Sequence, residues 1–599
     1  MTFILAAALV WAAGFPGHGT AASDAAPPGR CFSLPACQAE CAEGSAAACR
    51  RLGWAYDHGE SVAADPAKAV AYYTRARDLG NMQACCDLAA LCLEGRGTKP
   101  DPGRAATLFL RACNEGEGRG CANLAILRMQ GKGVSKDPAK ALTLLKKGAA
   151  LNNGHACALL GYLYLTGQGG DRDPERAVKL FRRSCATGYG EGCLSLALCA
   201  ETGSGMKADP VQARSLYEAA CVAGEPRACA ELGRVRLLGL GGPADPAGSL
   251  ASYRRACDGG WPRGCTGLAS LCYEGKVVPR DFSRALELFT KACEAGEATA
   301  CGGLGVIYER GDGVPADTAR ATECFRRACE GGDAMGCTNL GAAILIHGAE
   351  AGDLDKAVDL LRGACERGEA AACTWLGQLY LDGIGVPQDL AQAATLFEEA
   401  CARGHAPGCD NLGEVFDEGT GVDRDATRAA VYYGKACDGG DPAGCRDLAA
   451  LVETGNGVPR DGTKALGLYH RACAAGDMVS CALLGARYAE GEGVNPDAVR
   501  AVALLRRACD RGVARSCADL GLLTELGIGV QKNPAVAVEL YQRACTAGYA
   551  AGCSRLGSSH VNAGRVEVGK KLLTKGCEGG DQKGCEELAK LEGPTPQRK

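Results

Sequence analysis

Apolar residues along this chain recur in short bursts of helical period, cut at regular intervals by glycine and proline. The stretch from Cys373 to Cys401 shows the unit. Leu376, Leu379 and Tyr380 fall at i, i+3 and i+4 and mark one face of a helix. Gly383-Ile384-Gly385-Val386-Pro387 interrupts it, because glycine supplies left-handed backbone and proline cannot continue a helix. Asp389 then stands where an N-cap belongs. Ala393, Leu396, Phe397 and Ala400 form a second stripe, and Ala402-Arg403-Gly404 supplies a glycine stop. The pattern predicts helix A, loop, helix B, turn. The units around Cys113, Cys293 and Cys401 repeat it nearly letter for letter.

Cysteines eight residues apart set the period. The pairs are Cys41 and Cys49, Cys113 and Cys121, Cys185 and Cys193, Cys221 and Cys229, Cys257 and Cys265, Cys293 and Cys301, Cys329 and Cys337. They continue with Cys365 and Cys373, Cys401 and Cys409, Cys437 and Cys445, Cys473 and Cys481, Cys509 and Cys517, Cys545 and Cys553, Cys577 and Cys585. Their first members lie on a 36-residue lattice that also calls for pairs at 77 and 85 and at 149 and 157, where Arg77 and Ala149 replace the first cysteine. Only the interval from Cys545 to Cys577 is short, by four residues. Sixteen units follow. A two-helix unit cannot bury its own stripe, so units must stack into an all-α superhelical solenoid. A glycine four residues after the second cysteine, such as Gly53, Gly377 or Gly413, is expected to let helix A approach a neighbour closely.

Each cysteine pair spans the tight turn from helix B to the next helix A, which brings two Cβ atoms close and makes a disulfide the expected bond. Closing so short a loop is worth roughly 2 to 3 kcal/mol in the chain-entropy model. Metal binding competes, but the repeated pair lacks a matching histidine or second pair at zinc spacing. The chain holds 37 cysteines, and so many at regular spacing suit an oxidising compartment. Phe3 to Phe15 is an apolar run followed by Thr20-Ala21-Ala22, which reads as a signal peptide over 1–22 cleaved before Ser23. The expected organisation continues with an N-terminal segment or cap over 23–40, the repeat array over 41–590 and a flexible tail over 591–599. A periplasmic or secreted protein without a membrane span in its mature chain is expected. Net charge is −4, with 66 Lys+Arg against 70 Asp+Glu, which argues against nucleic acid as a partner.

The unit GC-x-x-LG-x-LY-x-x-G-x-GV-x-x-D-x-x-A-x-x-L-(F/Y)-x-x-AC-x-x-G is similar to the Sel1-like repeat, a relative of the tetratricopeptide repeat, over residues 41 to about 590. The added cysteine pair resembles the Helicobacter cysteine-rich proteins. That resemblance implies an α/α superhelix with one disulfide per repeat, secretion, and protein or peptide binding on the concave side. Some such relatives carry a penicillin-binding or β-lactamase label, and another cysteine-rich relative is a mitochondrial cytochrome oxidase assembly factor associated with haem handling.

The residues themselves offer little catalytic chemistry. One Ser-x-x-Lys occurs, Ser204-Gly205-Met206-Lys207, in the loop where other units carry G-x-G-V, and neither Ser-Asp-Asn nor Lys-Thr-Gly accompanies it. No phosphate-binding loop, nucleophile elbow or His-Glu-x-x-His is present, and seven histidines scatter over different units. No cofactor, resident metal or catalytic residue is expected. Two alternatives remain: a β-lactam-binding protein or weak β-lactamase, as the label of the cysteine-rich relatives implies, and a redox, haem or metal assembly factor acting through Cys85-Cys86.

Binding is better supported. Helix A is expected to line the concave side, and the second residue after its cysteine points away from the leucine stripe. There Asn123, Asn339 and Asn411 offer amides able to hold a peptide backbone, and Trp375 offers an aromatic anchor. The plain alternative is a solvated surface. Nine cysteines lie outside the pairs. Cys31 and Cys37 are candidates to bridge a cap; Cys92, Cys272 and Cys324 sit where other units carry tyrosine or another apolar residue; Cys85, Cys86, Cys157 and Cys199 complete the set.

Overall fold

The computed structural model describes residues 33–168, 170–347, 351–491 and 494–592. The expected leader over 1–22 and Cys31 lie outside these residues. Among the described residues there are 32 α-helices and no strand. The chain divides between Ala321 and Thr322 into two compact units, each a run of repeats. Helix Leu34–Ala42, capped by Ser33, comes first. Paired A and B helices follow, the first pair being Ala46–His58 and Pro66–Asp78. The last helix, Gln582–Glu592, runs two residues into the expected tail.

Helix A stops where the sequence says it must. Gly383 takes φ 69° as its C-cap, and Gly385 takes φ 69° two residues on. The second glycine of this loop has a steric reason as well: at Gly97 a Cβ would lie 2.2 Å from the Pro66 carbonyl oxygen, so the loop rests on the first turn of the preceding helix B. An aspartate then opens helix B. Asp65 accepts from the Lys68 amide at 3.0 Å and Asp425 from the Arg428 amide at 3.0 Å. The same basic residue lies over the aromatic that ends helix A: Lys68 is 5.3 Å from the Tyr56 ring centre and Arg428 5.4 Å from that of Phe416.

At the corners all fourteen expected pairs are disulfides. In the first unit these are Cys41–Cys49, Cys113–Cys121, Cys185–Cys193, Cys221–Cys229, Cys257–Cys265 and Cys293–Cys301. In the second they are Cys329–Cys337, Cys365–Cys373, Cys401–Cys409, Cys437–Cys445, Cys473–Cys481, Cys509–Cys517, Cys545–Cys553 and Cys577–Cys585. Their Cα atoms lie between 4.4 and 4.8 Å apart, within the reach of a disulfide. A sulfur bonded to sulfur is no thiolate ligand. The two unbridged corners keep the same turn. Gly80 donates to the Arg77 carbonyl at 2.9 Å, and Asn152, at φ 54°, donates to that of Ala149 at 3.0 Å. The bond therefore pins a corner that the backbone already forms. Cys37 is disulfide-bonded too. Cys85, Cys86, Cys92, Cys157, Cys199, Cys272 and Cys324 keep their thiols and are buried, as small apolar residues would be.

Packing gives the mid-helix glycine its reason. A Cβ on Gly53 would come within 2.5 Å of the Tyr73 ring, and one on Gly413 within 2.6 Å of Tyr433. The close approach is thus to the aromatic of the repeat's own helix B. Consecutive repeats are tied on the B side by arginine. Arg255 reaches the Cys221 carbonyl at 3.0 Å, Arg471 that of Cys437 at 2.6 Å and Arg543 that of Cys509 at 3.0 Å. Each guanidinium adds a second donor to a carbonyl at the end of the previous helix B that already accepts from the glycine amide of the turn. On the other side, A helices of consecutive repeats pack directly against one another within each unit, more closely than B helices do. The A row is therefore the inner side of each unit.

Candidate functional site

Along a helix A, residues two before and two, five and nine after the second cysteine are spaced i, i+4, i+7 and i+11 and share one stripe. This stripe faces away from the repeat's own helix B, and at Gly267 and Gly303 it meets the aromatic ring of the preceding helix B, Tyr253 and Phe289. Asn339, Trp375 and Asn411 occupy it on three successive A helices, Ala334–His347, Ala370–Asp382 and Ala406–Glu418, all in the unit beginning at Thr322. Trp375 is 37% exposed, large for an indole, while Asn339 and Asn411 are half-buried. Asn123 belongs to the other unit. It is buried, and its Nδ2 has no hydrogen-bond partner among the described residues. The four residues picked out in the sequence thus separate into a group of three in one unit and a fourth in the other.

Beside the group of three lies an acidic cluster that the unit consensus did not announce. Asp410 and Glu414 stand one turn apart on helix Ala406–Glu418, and Asp447 stands on the next A helix, Pro442–Thr454. Among the described residues Arg446 is the cation beside them, gripping Asp447 with two bonds of 2.9 Å and reaching Asp477 at 3.3 Å. Burial, then the charges of Asp447 and Asp441, push the Asp410 carboxyl up to about 7. Burial and the neighbouring Glu418 and Asp447 raise Glu414 as well. The Asp410 Oδ1 is buried with no hydrogen-bond partner among the described residues. A signal for this cluster existed in the sequence. The residue after the second cysteine is small in most units and acidic only at Asp410 and Glu586, and Glu414 is the only acid at the fifth position.

The first unit carries inner-face charge of another kind. Asp87 bridges Arg50 at 2.7 Å and Arg119 at 2.5 Å, with all three side chains buried. Arg234 joins Glu201 at 2.5 Å to Glu231 at 2.9 Å. These are compensated networks that link one A helix to the next.

The remaining candidates do not assemble a reactive centre. Ser204 shares its hydrogen bond with Thr202 at 2.9 Å, while Lys207 is exposed. Cys365, Cys373 and Glu399 crowd together, but the two sulfurs are bonded to each other and are not thiolate ligands. Burial raises the thiols of Cys85 and Cys86, the reverse of what a nucleophile or metal ligand needs. His405 lies against Thr374 at 2.8 Å and is pushed down by burial.

A family model described as the Sel1 repeat matches fourteen successive segments, from 46–81 through 514–549. Among solved structures, a protective antigen of uropathogenic Escherichia coli strains displaying an SLR fold is 24% identical, with TM-score 0.51, covering 75% of this chain and 94% of its own. A Sel1 repeat protein from Oxalobacter formigenes is 28% identical, with TM-score 0.36, covering 51% of this chain and 88% of its own. An immunity protein from Pseudomonas aeruginosa is 21% identical, with TM-score 0.30, covering 36% of this chain and 81% of its own. No curated protein matches.

Proposed function

The chain belongs to the Sel1 repeat family, and from that premise we propose that it is an exported scaffold whose inner face receives a segment of another polypeptide. Trp375 carries the reading. An indole 37% exposed on the inner stripe packs no core and supplies the flat, amphipathic surface that dominates binding hot spots. Asn339 and Asn411 flank it one repeat away on either side, each amide able to donate to and accept from an extended backbone. Asn123 would serve a separate contact in the first unit. The scaffold performs no bond chemistry of its own; its work is to hold a partner in place.

Export follows from the same physics. Fourteen disulfides persist in an oxidising compartment such as the periplasm or the exterior, and reducing cytosol would open them. No described helix is long and apolar enough to cross a membrane.

The test is a pull-down from extract of the compartment that holds the protein. Folded protein should retain a discrete polypeptide, and Trp375→Ala should lower its recovery about tenfold, the scale of a hot-spot truncation. Equal recovery by Trp375→Ala, or by reduced and unfolded protein, would contradict the proposal.

A further inference from the structure

Two groups of opposite character lie on or beside the inner stripe of the unit beginning at Thr322. The first is apolar. Met335 is 56% exposed, Ile346 60% and Trp375 37%, and none has a packing role to explain its exposure. The second, starting on the next helix, is the group Asp410, Glu414 and Asp447, with Arg446 the cation beside it among the described residues.

Asp447 is paired with Arg446, but Asp410 and Glu414 bring the fold no such bond. Two acids at i and i+4 on one helix repel each other and destabilise it slightly. Ten units carry Ala, Gly, Thr or Ser where Asp410 stands, and the neighbouring A helices carry Ala or Gln at the fifth position. The neighbouring acids Asp441 and Asp477 already serve as helix N-caps, accepting from Ala443 at 2.9 Å and Ser480 at 2.7 Å. Asp410 and Glu414 have no such employment. Asp410, with a buried Oδ1, and exposed Glu414 make no side-chain hydrogen bond or ion pair among the described residues, and acids so placed are available to a cation from outside the chain.

We propose that this face binds a polypeptide segment in which an apolar stretch adjoins lysine or arginine. The apolar stretch lies on Met335, Ile346 and Trp375, and the cation enters among Asp410, Glu414 and Asp447. Complementary charge is what selects the partner and sets its register along the row. The inference rests on the inner-face reading above and adds to it the chemistry of the occupant.

Fluorescence anisotropy of the full chain with labelled synthetic peptides tests it. The probe is a run of valines, a Gly-Ser spacer and a run of lysines; controls carry glutamates, or serines, in place of the lysines. The lysine peptide should bind at least about tenfold more tightly than the glutamate peptide. The double variant D410N/E414Q should remove that advantage while leaving the serine peptide's binding unchanged. Trp375→Ala should weaken lysine and serine peptides alike. Asp410 faces Glu414 on its own helix, Asp441, Arg446 and Asp447 from the next, and Tyr433 from helix B. As it ionises, affinity for the lysine peptide should rise between about pH 6 and pH 8. Failure of the lysine peptide to bind, or binding indifferent to D410N/E414Q, overturns the inference. Serine-peptide binding that still depends on Trp375 would in that case leave the inner-face reading standing.

Discussion

The tyrosine at the centre of helix B shows how finely single residues are matched. Tyr217 donates to Glu201 at 2.5 Å, Tyr469 to Glu453 at 3.1 Å and Tyr541 to Glu525 at 2.7 Å, each glutamate eight residues after the second cysteine. In the first repeat that position is Asp57, one methylene shorter, and the buried Tyr73 hydroxyl has no partner among the described residues. Asp57→Glu should therefore stabilise the protein by about 1 kcal/mol, the worth of one hydrogen bond, read as a higher urea midpoint; an unchanged or lower midpoint would refute the match. Gly413→Ala should act the other way, losing about 1 to 3 kcal/mol as its Cβ meets the Tyr433 ring. Asp410 gives a pH-dependent case. Its carboxyl is raised to about 7 in the folded protein, so its ionised form opposes folding; the penalty grows as pH rises from the unfolded value toward 7 and is complete above it. Asp410→Asn should raise the urea midpoint at pH 8 and leave it unchanged near pH 4. A gain equal at both values would deny the raised carboxyl.

At the scale of helices and turns, much was legible beforehand. Apolar spacing located both helices of each unit, Gly-x-Gly and the aspartate located the ends, and the cysteine lattice placed every corner, including the two without bridges. Those two corners make a direct prediction. Arg77→Cys should bond to Cys85 without moving the backbone, lowering the number of thiols that react in denaturant by one; no change in that number would mean the corner differs from its neighbours. What escaped the sequence depends on neighbours brought together only by stacking. The hydrogen bond from Arg471 to the Cys437 carbonyl spans 34 residues, and an arginine two before a cysteine looks like any solvated residue on helix B. The acids at Asp410 and Glu414 were hidden for another reason. Within one helix they are ordinary surface residues, and they stand out only when each unit is set against the other units of the same chain. Asn123 differed as well: the stripe that leaves Trp375 exposed is buried there.

For the molecule as a whole, each repeat contacts chiefly its neighbours, so stability is close to a sum of local terms with nearest-neighbour coupling. The disulfides act within single corners and do not tie distant repeats together. Reduction should accordingly lower the thermal midpoint while far-ultraviolet circular dichroism at low temperature keeps its helical signal, because the unbridged corners at Arg77 and Ala149 already turn unaided. Loss of the helical signal on reduction alone would contradict this. The central claim is the corner itself, two short helices joined at a turn that is pinned in fourteen places. Peptide mapping of non-reduced, alkylated protein by mass spectrometry tests it most directly. Apart from the bridge at Cys37, every bridge should join cysteines eight residues apart, with alkylated thiols at Cys85, Cys86, Cys92, Cys157, Cys199, Cys272 and Cys324. Alkylated cysteines within the eight-apart pairs, or bridges between different corners, would contradict the account.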